Sequence, residues 1–246
     1  MISTSHANAA DSALKPSCKG LPSHDALRTA LTAARNESNG GFNLDMWATV
    51  VDRDGVVCAV VFTGKDRGDQ WPGSRIISAQ KANTANAFSL PKLALSTANI
   101  YSAVQPGGSL FGLQFSNPVD TNVAYGGLPI HYGQENDPMV GHQIGGVNVF
   151  GGGLALYDSN HMLIGAIGVS GDSSCADHNI AWRTRNGLKL DYVLAGVSGD
   201  NSRPDNIVYD IGATGSMSGV SKSGWGHPTC SDAATKVAQQ LPVVSQ

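Results

Sequence analysis

The chain has 246 residues, of which 41% are hydrophobic and only 14% are charged, and its formal net charge is −3. This length suits one large domain or one domain with long excursions. A nucleic-acid-binding protein would carry a cationic stripe, and no basic run is present. No run of about 18 apolar residues occurs either. We therefore expect neither nucleic acid nor a membrane as a partner.

Two features of the sequence, the N-terminal residues and the cysteines, bear on the cellular compartment in which the protein works. The first twenty residues lack the charged and apolar regions of a signal peptide. A mature chain whose signal was removed would be periplasmic or secreted, and otherwise we expect a cytoplasmic protein. The four cysteines, at positions 18, 58, 175 and 230, allow three full pairings. One hypothesis is a Cys18–Cys230 bridge, because chain ends often lie close together, and the other is free or buried thiols in a reducing cytosol.

The first half of the chain predicts a helix, a hairpin and two further helices. Ser23 can cap a helix whose apolar residues, from Leu27 to Ala34, recur at helical spacing. Residues 46–64 read as two strands around an Asp-Gly turn. An alanine-rich helix is predicted over 74–89, and a second helix over 92–104.

Residues 105–152 are rich in glycine and proline and show little periodicity. A loop of this length in a compact domain is usually functional or interfacial, and the alternative is a plain surface excursion. Two apolar runs, 152–158 and 162–170, then predict a second hairpin, and glycine and alanine in its second strand predict that another element packs closely on it.

The remaining chain predicts a core helix over 175–188, one short strand over 207–211 and a short helix over 231–241. Hairpins without βαβ alternation favour an α+β fold, with a single antiparallel sheet flanked by helices. The predicted organisation is an N-terminal arm (1–22), one domain (23–190) that contains the 105–152 excursion, and a C-terminal extension (191–246).

Three stretches carry a family resemblance: "ATVVDRDGVVCAVV", "ISAQKANTANAF" and "GGLALYDSNHMLIGAIGVSGD". In this order they resemble the GlcG/HbpS family, over about residues 24–188. The resemblance implies a profilin-like α/β/α domain that assembles into homo-oligomers, and it implies heme as a possible cofactor, since some members bind heme. The low charge of the chain also favours an oligomer, with the 105–152 excursion as its interface.

The end of the apolar run 162–170 is the first candidate for a ligand site. Gly171 allows close approach of a ligand, and Ser173 and Ser174 stand where a helix begins. Free amide groups and the positive dipole end of a helix favour an acid group there. The alternative is that the glycine serves a tight turn and that a serine merely caps the helix.

Charged and polar side chains on the neighbouring helices could complete this site. Lys81 and Thr84 share one face of the alanine-rich helix, and Arg183 lies in the last core helix. Lys81 or Arg183 could hold a ligand carboxylate, although an internal salt bridge or a surface position would also account for a lysine. His178 could ligate heme or act as an acid or base, with Asp177 beside it.

Two functions follow from these residues. The first is an oligomeric ligand-binding protein for heme or another planar, acid-bearing molecule. The alternative is an enzyme for a small oxygenated carboxylic acid, with His178 and Asp177 as catalytic residues. No metal site is expected, since the loop histidines lack ligand spacing. If Lys81 and His178 prove dispensable, the excursion with Tyr125, His131 and His142 is the next place for the pocket, whereas His6, His24 and His227 should have no role.

Overall fold

The computed structural model describes residues 18–212 and 219–246. Residues 1–17 of the predicted arm therefore lie outside the described residues. None of the helices in the described part of the chain is long and apolar enough to cross a membrane. The elements in chain order are α1 (His24–Arg35), β1 (Trp47–Asp52), β2 (Val57–Phe62), α2 (Ser74–Phe88), α3 (Thr97–Ile100), α4 (Leu113–Ser116), α5 (Thr121–Ala124), β3 (Gly153–Tyr157), β4 (Leu163–Ser170), α6 (Ser174–Gly187) and α7 (Asp232–Gln239), with short 3-10 helices at Ser102–Val104 and Pro129–His131.

The four strands form one antiparallel sheet in the order β2-β1-β4-β3. The two hairpins pair through β1 and β4, so that Thr49 of β1 lies opposite Gly168 of β4. Helix α2 packs on one face of the sheet, and α1 and α6 pack on the other. Successive strand residues alternate between the two faces, so Ala166 packs with α2 and Ile167 with α1 and α6. The predicted α+β fold with a single antiparallel sheet is confirmed.

The close packing predicted for β4 is supplied by α2. Gly168 lies against the helix backbone so tightly that an added Cβ would come within 1.9 Å of the Ser78 carbonyl oxygen. On the helix side the small residues Ser78 and Ala82 face this glycine, and both are buried. The glycine and these small residues together let a helix axis approach the sheet more closely than larger side chains would allow.

Two of the predicted elements take another form. The continuous helix predicted over 92–104 is wrong, because Leu90 and Leu93 close a turn and α3 begins only after Ser96. Ser96 and Asn99 form a capping box, which starts a new helix at that point. The strand predicted over 207–211 is also wrong, since only Ile211 makes a single bridge there, to Ser221. The predicted C-terminal helix is present as α7.

The Cys18–Cys230 hypothesis is wrong as well. Cys18 is bonded to Cys58 of β2, and Cys175 of α6 is bonded to Cys230. The two terminal segments are therefore each bonded to an element of the core, β2 and α6, and not to each other. All four thiols are used in these two bridges, so none is left free.

Candidate functional site

Lys81 lies in the middle of α2 and is fully buried. Its Nζ donates to Oδ2 of Asp177 at 2.7 Å and to the carbonyl oxygen of Val169 at 2.9 Å. Burial lowers the pKa of Lys81, and the adjacent carboxylate opposes that shift. Burial raises the pKa of Asp177 to about 6, although the lysine and the amide hydrogen bonds act in the opposite direction. The lysine singled out in the sequence thus has a partner within the chain.

The amide groups of the loop between β4 and α6 bind a carboxylate of the chain itself, and binding of a ligand acid group by Gly171, Ser173 or Ser174 stays a prediction. Oδ1 of Asp177 accepts the N–H of Gly171 at 3.1 Å and the N–H of Asp172 at 2.8 Å. Lys81, Asp177 and Gly171 therefore meet at one point, at the junction of α2, β4 and α6. An incoming carboxylate would have to displace Asp177 to reach the same donors.

The two serines of this loop have separate partners. Ser173 caps α6 and accepts the N–H of Ala176 at 3.4 Å. The Ser174 hydroxyl lies 2.8 Å from Nε2 of His227 and accepts the N–H of Gly151 at 2.7 Å. Nδ1 of His227 lies 2.7 Å from the carbonyl oxygen of Pro228, so Nδ1 carries the proton and Nε2 accepts from Ser174. His227, for which we expected no role, thus connects the C-terminal extension to the start of α6.

His178 is fully buried one residue beyond Asp177 and faces another neighbour. Its Nε2 lies 3.1 Å from Oδ1 of Asn206 and 3.1 Å from the backbone nitrogen of Ile207. No described residue supplies a partner for its Nδ1. Burial lowers the pKa of His178 to about 4, which keeps the ring neutral at pH 7. Its role as ligand or as acid and base stays a prediction.

Thr84 and Arg183 lie apart from this junction. The Thr84 hydroxyl donates to the carbonyl oxygen of Gln80 at 2.8 Å and accepts the N–H of Asn148 at 3.0 Å, so it holds the end of the excursion on α2. Arg183 contacts the segment after α1, with Nε 3.2 Å from Glu37 and Nη1 2.8 Å from the carbonyl oxygen of Ser38. Ligand binding by either residue stays a prediction.

An open cavity of about 410 Å³ lies elsewhere, between the excursion, the start of α2 and the first residue of β1. Most of its wall is apolar or aromatic. The two cationic side chains of the wall are Arg67, which precedes α2, and Arg75, which belongs to α2. The side chains that matter for its chemistry are those of Trp47, Arg67, Pro72, Tyr125, Pro129 and Tyr132. Tyr125 belongs to the excursion that the sequence named as the second place for a pocket.

Arg75 fixes one wall of this cavity. Its Nε donates to Oδ2 of Asp137 at 2.8 Å, a second guanidinium nitrogen contacts the other carboxylate oxygen, and Nη1 donates to the carbonyl oxygen of Ala124 at 2.8 Å. The guanidinium carbon lies 3.8 Å from the ring centroid of Tyr132. Because Arg75 and Asp137 are both buried, this bidentate pair joins α2 to the excursion and holds Tyr132 in place.

Trp47 forms another part of the wall and packs edge-on against Phe62, with ring centroids 5.1 Å apart. Its indole N–H is buried and has no hydrogen-bond acceptor among the described residues. A buried donor of this kind usually has a partner, and leaving it without one costs about 1–3 kcal/mol. The sequence marked Trp47 only as a strand residue, because nothing local shows that the excursion, far along the chain, returns to it.

Several solved structures are similar to this chain. A Klebsiella pneumoniae protein, ORFY, is 27% identical and has a TM-score of 0.45, over 68% of this chain and 90% of its own. A PduOC protein, solved as a heme complex, is 22% identical with a TM-score of 0.45, over 67% of this chain and 91% of its own. HbpS is 16% identical with a TM-score of 0.41, over 68% and 90%.

No curated protein matches the chain closely enough to be counted as a relative. A family model does match, over residues 23–185, which is about two thirds of the chain. The match covers both hairpins and helices α1, α2 and most of α6. It therefore confirms the resemblance that the sequence showed. The chain belongs to the family described as haem-degrading protein HbpS-like.

Proposed function

We propose that the protein binds heme or another planar molecule that carries an acid group, and that the cavity beside Trp47 holds this ligand. The observation that carries the proposal is the open cavity itself, whose wall is largely apolar and aromatic and holds the exposed cation of Arg67. A planar molecule with an acid group matches both features. The family description, which names heme, supports the same class of ligand.

The cavity has the chemistry that such a ligand requires. Aromatic and proline side chains, including Tyr132 and Pro129, offer flat apolar surface, and the volume falls within the range of about 300–1,000 Å³ usual for small-molecule sites. Arg67 supplies a cation for an acid group. Its side chain is 45% exposed and its only ion pair among the described residues is with exposed Asp66, at 3.7 Å. A pair so exposed is weak, so a ligand carboxylate can replace it.

For heme itself, Tyr125 is the side chain of the cavity suited to the iron. It is largely exposed, and phenolate oxygen is one of the protein ligands that heme iron accepts. The hydroxyl of Tyr132 is less available, since it donates to the carbonyl oxygens of Tyr125 and Gly126, at 3.2 Å each. Heme would supply the iron and the conjugated ring, while this chain supplies the walls, the cation and the phenol.

The test is titration with hemin, followed by absorption in the Soret region. Arg67→Gln removes the exposed cation of the cavity, so we expect hemin binding to weaken about tenfold, which corresponds to about 1.4 kcal/mol. Arg203→Gln removes an arginine that pairs with an aspartate outside the cavity, and it should leave binding unchanged. Tyr125→Phe should shift the Soret spectrum of the complex. Equal affinities for the Arg67 and Arg203 variants would overturn the assignment of the site.

The alternative function is an enzyme for a small oxygenated carboxylic acid, with His178 as the acid or base. One observation favours it: Nδ1 of this neutral ring has no partner among the described residues. Lys81 would hold the carboxylate once Asp177 had moved away, whereas Arg183 lies too far out to share the same junction. Hemin binding, or turnover of such acids, that is lost in Lys81→Met and kept in Arg67→Gln would favour this site.

We also propose that the protein is a homo-oligomer and that a second copy covers the excursion. Large apolar side chains are exposed along it, with Phe115 83%, Ile130 69% and Phe111 60% exposed. Clusters of exposed apolar side chains in a chain with only 14% charged residues are typical of a buried interface. A second copy of the chain is the partner that the composition favours. The chain carries few charged residues with which to bind a highly charged partner.

A further inference from the structure

The start of α1 meets the excursion through one histidine. Nε2 of His24 lies 2.9 Å from the carbonyl oxygen of Gly133, and Nδ1 lies 3.5 Å from Oδ1 of Asp25. The carboxylate of Glu135 completes the group, because one ligand atom from each of the three side chains lies within 4.8 Å of the other two. The third member is more than a hundred residues from the first two, so no local motif reveals the cluster.

The hydrogen bond to Gly133 fixes the tautomer of His24. A carbonyl oxygen only accepts, so Nε2 must carry the proton, and in the neutral ring Nδ1 is left with a lone pair. The Asp25 carboxylate lies on the Nδ1 side of the ring, and a carboxylate oxygen of Glu135 lies within 4.8 Å of a His24 ring nitrogen and of an Asp25 oxygen. Only 12% of the His24 side chain is exposed, against 87% for Asp25, so the imidazole is held by packing while the carboxylate can adjust.

We propose that His24 Nδ1, Asp25 and Glu135 form a site for a divalent cation such as Zn²⁺, with water completing the coordination. Imidazole nitrogen and carboxylate oxygen bind zinc at about 2.0–2.2 Å, which places two tetrahedral ligands about 3.4 Å apart. The observed 3.5 Å between His24 and Asp25 fits that spacing. The N–H bond from the far side of the ring to a backbone carbonyl is the usual support of a metal-binding histidine.

The site would fasten the excursion to α1 beside the aromatic cavity. Gly133 packs so closely on Phe62 and Trp47 that an added Cβ would lie 2.3 Å and 2.8 Å from their ring atoms. The N–H of Gly133 donates to Asp137 at 2.7 Å, and Asp137 holds Arg75. A cation at His24 therefore restrains the segment that carries one cavity wall. The inference does not depend on which ligand the cavity takes.

The test uses the full chain, stripped with a chelator and titrated with Zn²⁺ by calorimetry at pH 7.5. We expect one zinc ion per chain and a rise in the melting temperature. His24→Gln and Glu135→Gln should each weaken binding at least tenfold and abolish that rise. Asp232→Asn is the matched control, because Asp232 stands in the first turn of α7 as Asp25 does in α1.

Circular dichroism of each variant shows whether it is folded, so a loss of zinc binding cannot be mistaken for unfolding. Co²⁺ in place of zinc adds a second readout, since its visible absorption reports a nitrogen ligand and should change in His24→Gln. Zinc binding that persists unchanged in both the His24 and Glu135 variants would overturn the proposal. So would the absence of binding at millimolar zinc in the parent chain.

Discussion

The Nζ atom of Lys81 lies 2.7 Å from Oδ2 of Asp177, and the lysine side chain is 0% exposed and the aspartate 4%. The pair links α2 to α6 across the end of β4, where Val169 accepts a second hydrogen bond from the lysine. A charge buried without a partner is costly, and each of these two groups is the other's partner. The ion pair therefore connects α2 to α6 and contributes to the stability of the fold.

Removing one partner of this pair should destabilise the protein strongly. Lys81→Met and Asp177→Asn should each lower the free energy of unfolding by about 3–5 kcal/mol, because each leaves a buried charge uncompensated. The double variant should lose less than the sum of the two single losses. Urea unfolding of the four proteins gives the coupling energy. Strictly additive losses would show that the two groups do not stabilise each other.

Acid should destabilise the protein through His178 and His227. Burial lowers the pKa of each to about 4. As the pH falls below about 6.5, the unfolded chain takes up protons that the folded chain does not, so stability is full above about pH 6.5 and declines toward pH 4. Each histidine adds a slope of at most about 1.4 kcal/mol per pH unit.

Protonation of Asp177 changes the stability of the protein in the opposite direction. Its pKa is raised to about 6, so between pH 6 and pH 4 the folded chain holds a proton that the unfolded chain has lost, and this offsets one histidine. Urea midpoints measured from pH 4.5 to 6.5 should therefore rise with pH. His227→Gln should flatten that rise, and Asp177→Asn should steepen it. A His227→Gln profile parallel to that of the parent would contradict the assignment.

Much of the fold could be predicted because its signals are local. The Asp-Gly turn, the apolar runs of the strands and the cap at Ser23 each lie within a few residues, and the hairpins and the first helix formed as expected. The helix over 92–104 failed because Ser96 and Asn99 form a cap that restarts the helix, and a period count does not detect such a break. The disulfides failed because pairing depends on which strands and helices the chain ends reach.

The candidate site likewise combines residues that could be recognised from the sequence with residues that could not. Lys81 was recognisable as a lone lysine in an apolar helix, but its partner lies 96 residues away along the chain. The sequence therefore assigned to a ligand the charge that Asp177 supplies. Of the residues in the cavity wall, the sequence analysis named only Tyr125, since Trp47 and Arg75 reach the cavity from a strand and a helix that the excursion meets in space.

Gly168→Ala should damage the contact between β4 and α2. The new methyl group would lie 1.9 Å from the Ser78 carbonyl oxygen and 2.5 Å from the Ala82 nitrogen, both of them helix backbone. The helix must move off the sheet, so we expect a loss of about 3 kcal/mol or more in the free energy of unfolding. Gly187→Ala is the control, because its nearest neighbour would be a methyl group at 3.8 Å. Similar losses in both variants would refute the packing argument.

Charge placed on the excursion should dissociate the proposed oligomer. Phe115→Lys combined with Ile130→Lys would put two cations into an apolar interface, and the mass measured by light scattering should fall to that of one chain. Phe42→Lys tests the same kind of change at a site that is 70% exposed but outside the excursion, and it should not alter the mass. A parent protein that is already monomeric at micromolar concentration would rule out the oligomer.

The two disulfides should differ in what they hold. Cys175–Cys230 closes 55 residues and ties the C-terminal extension to α6, whereas Cys18–Cys58 closes 40 residues and ties the N-terminal segment to β2. Loss of either bridge should cost about 2–5 kcal/mol.

Only the Cys175→Ala and Cys230→Ala pair should also expose α7 to protease. Helix α7 then keeps its place through the packing of Ala234 and Ala238 and through hydrogen bonds, such as those that Asn179 and Asn206 donate to the carbonyl oxygens of these two alanines. Trypsin should cut at Lys236 faster in that variant than in the Cys18→Ala and Cys58→Ala control. Equal cutting rates in the two variants would mean that packing and hydrogen bonds hold α7 without the bridge.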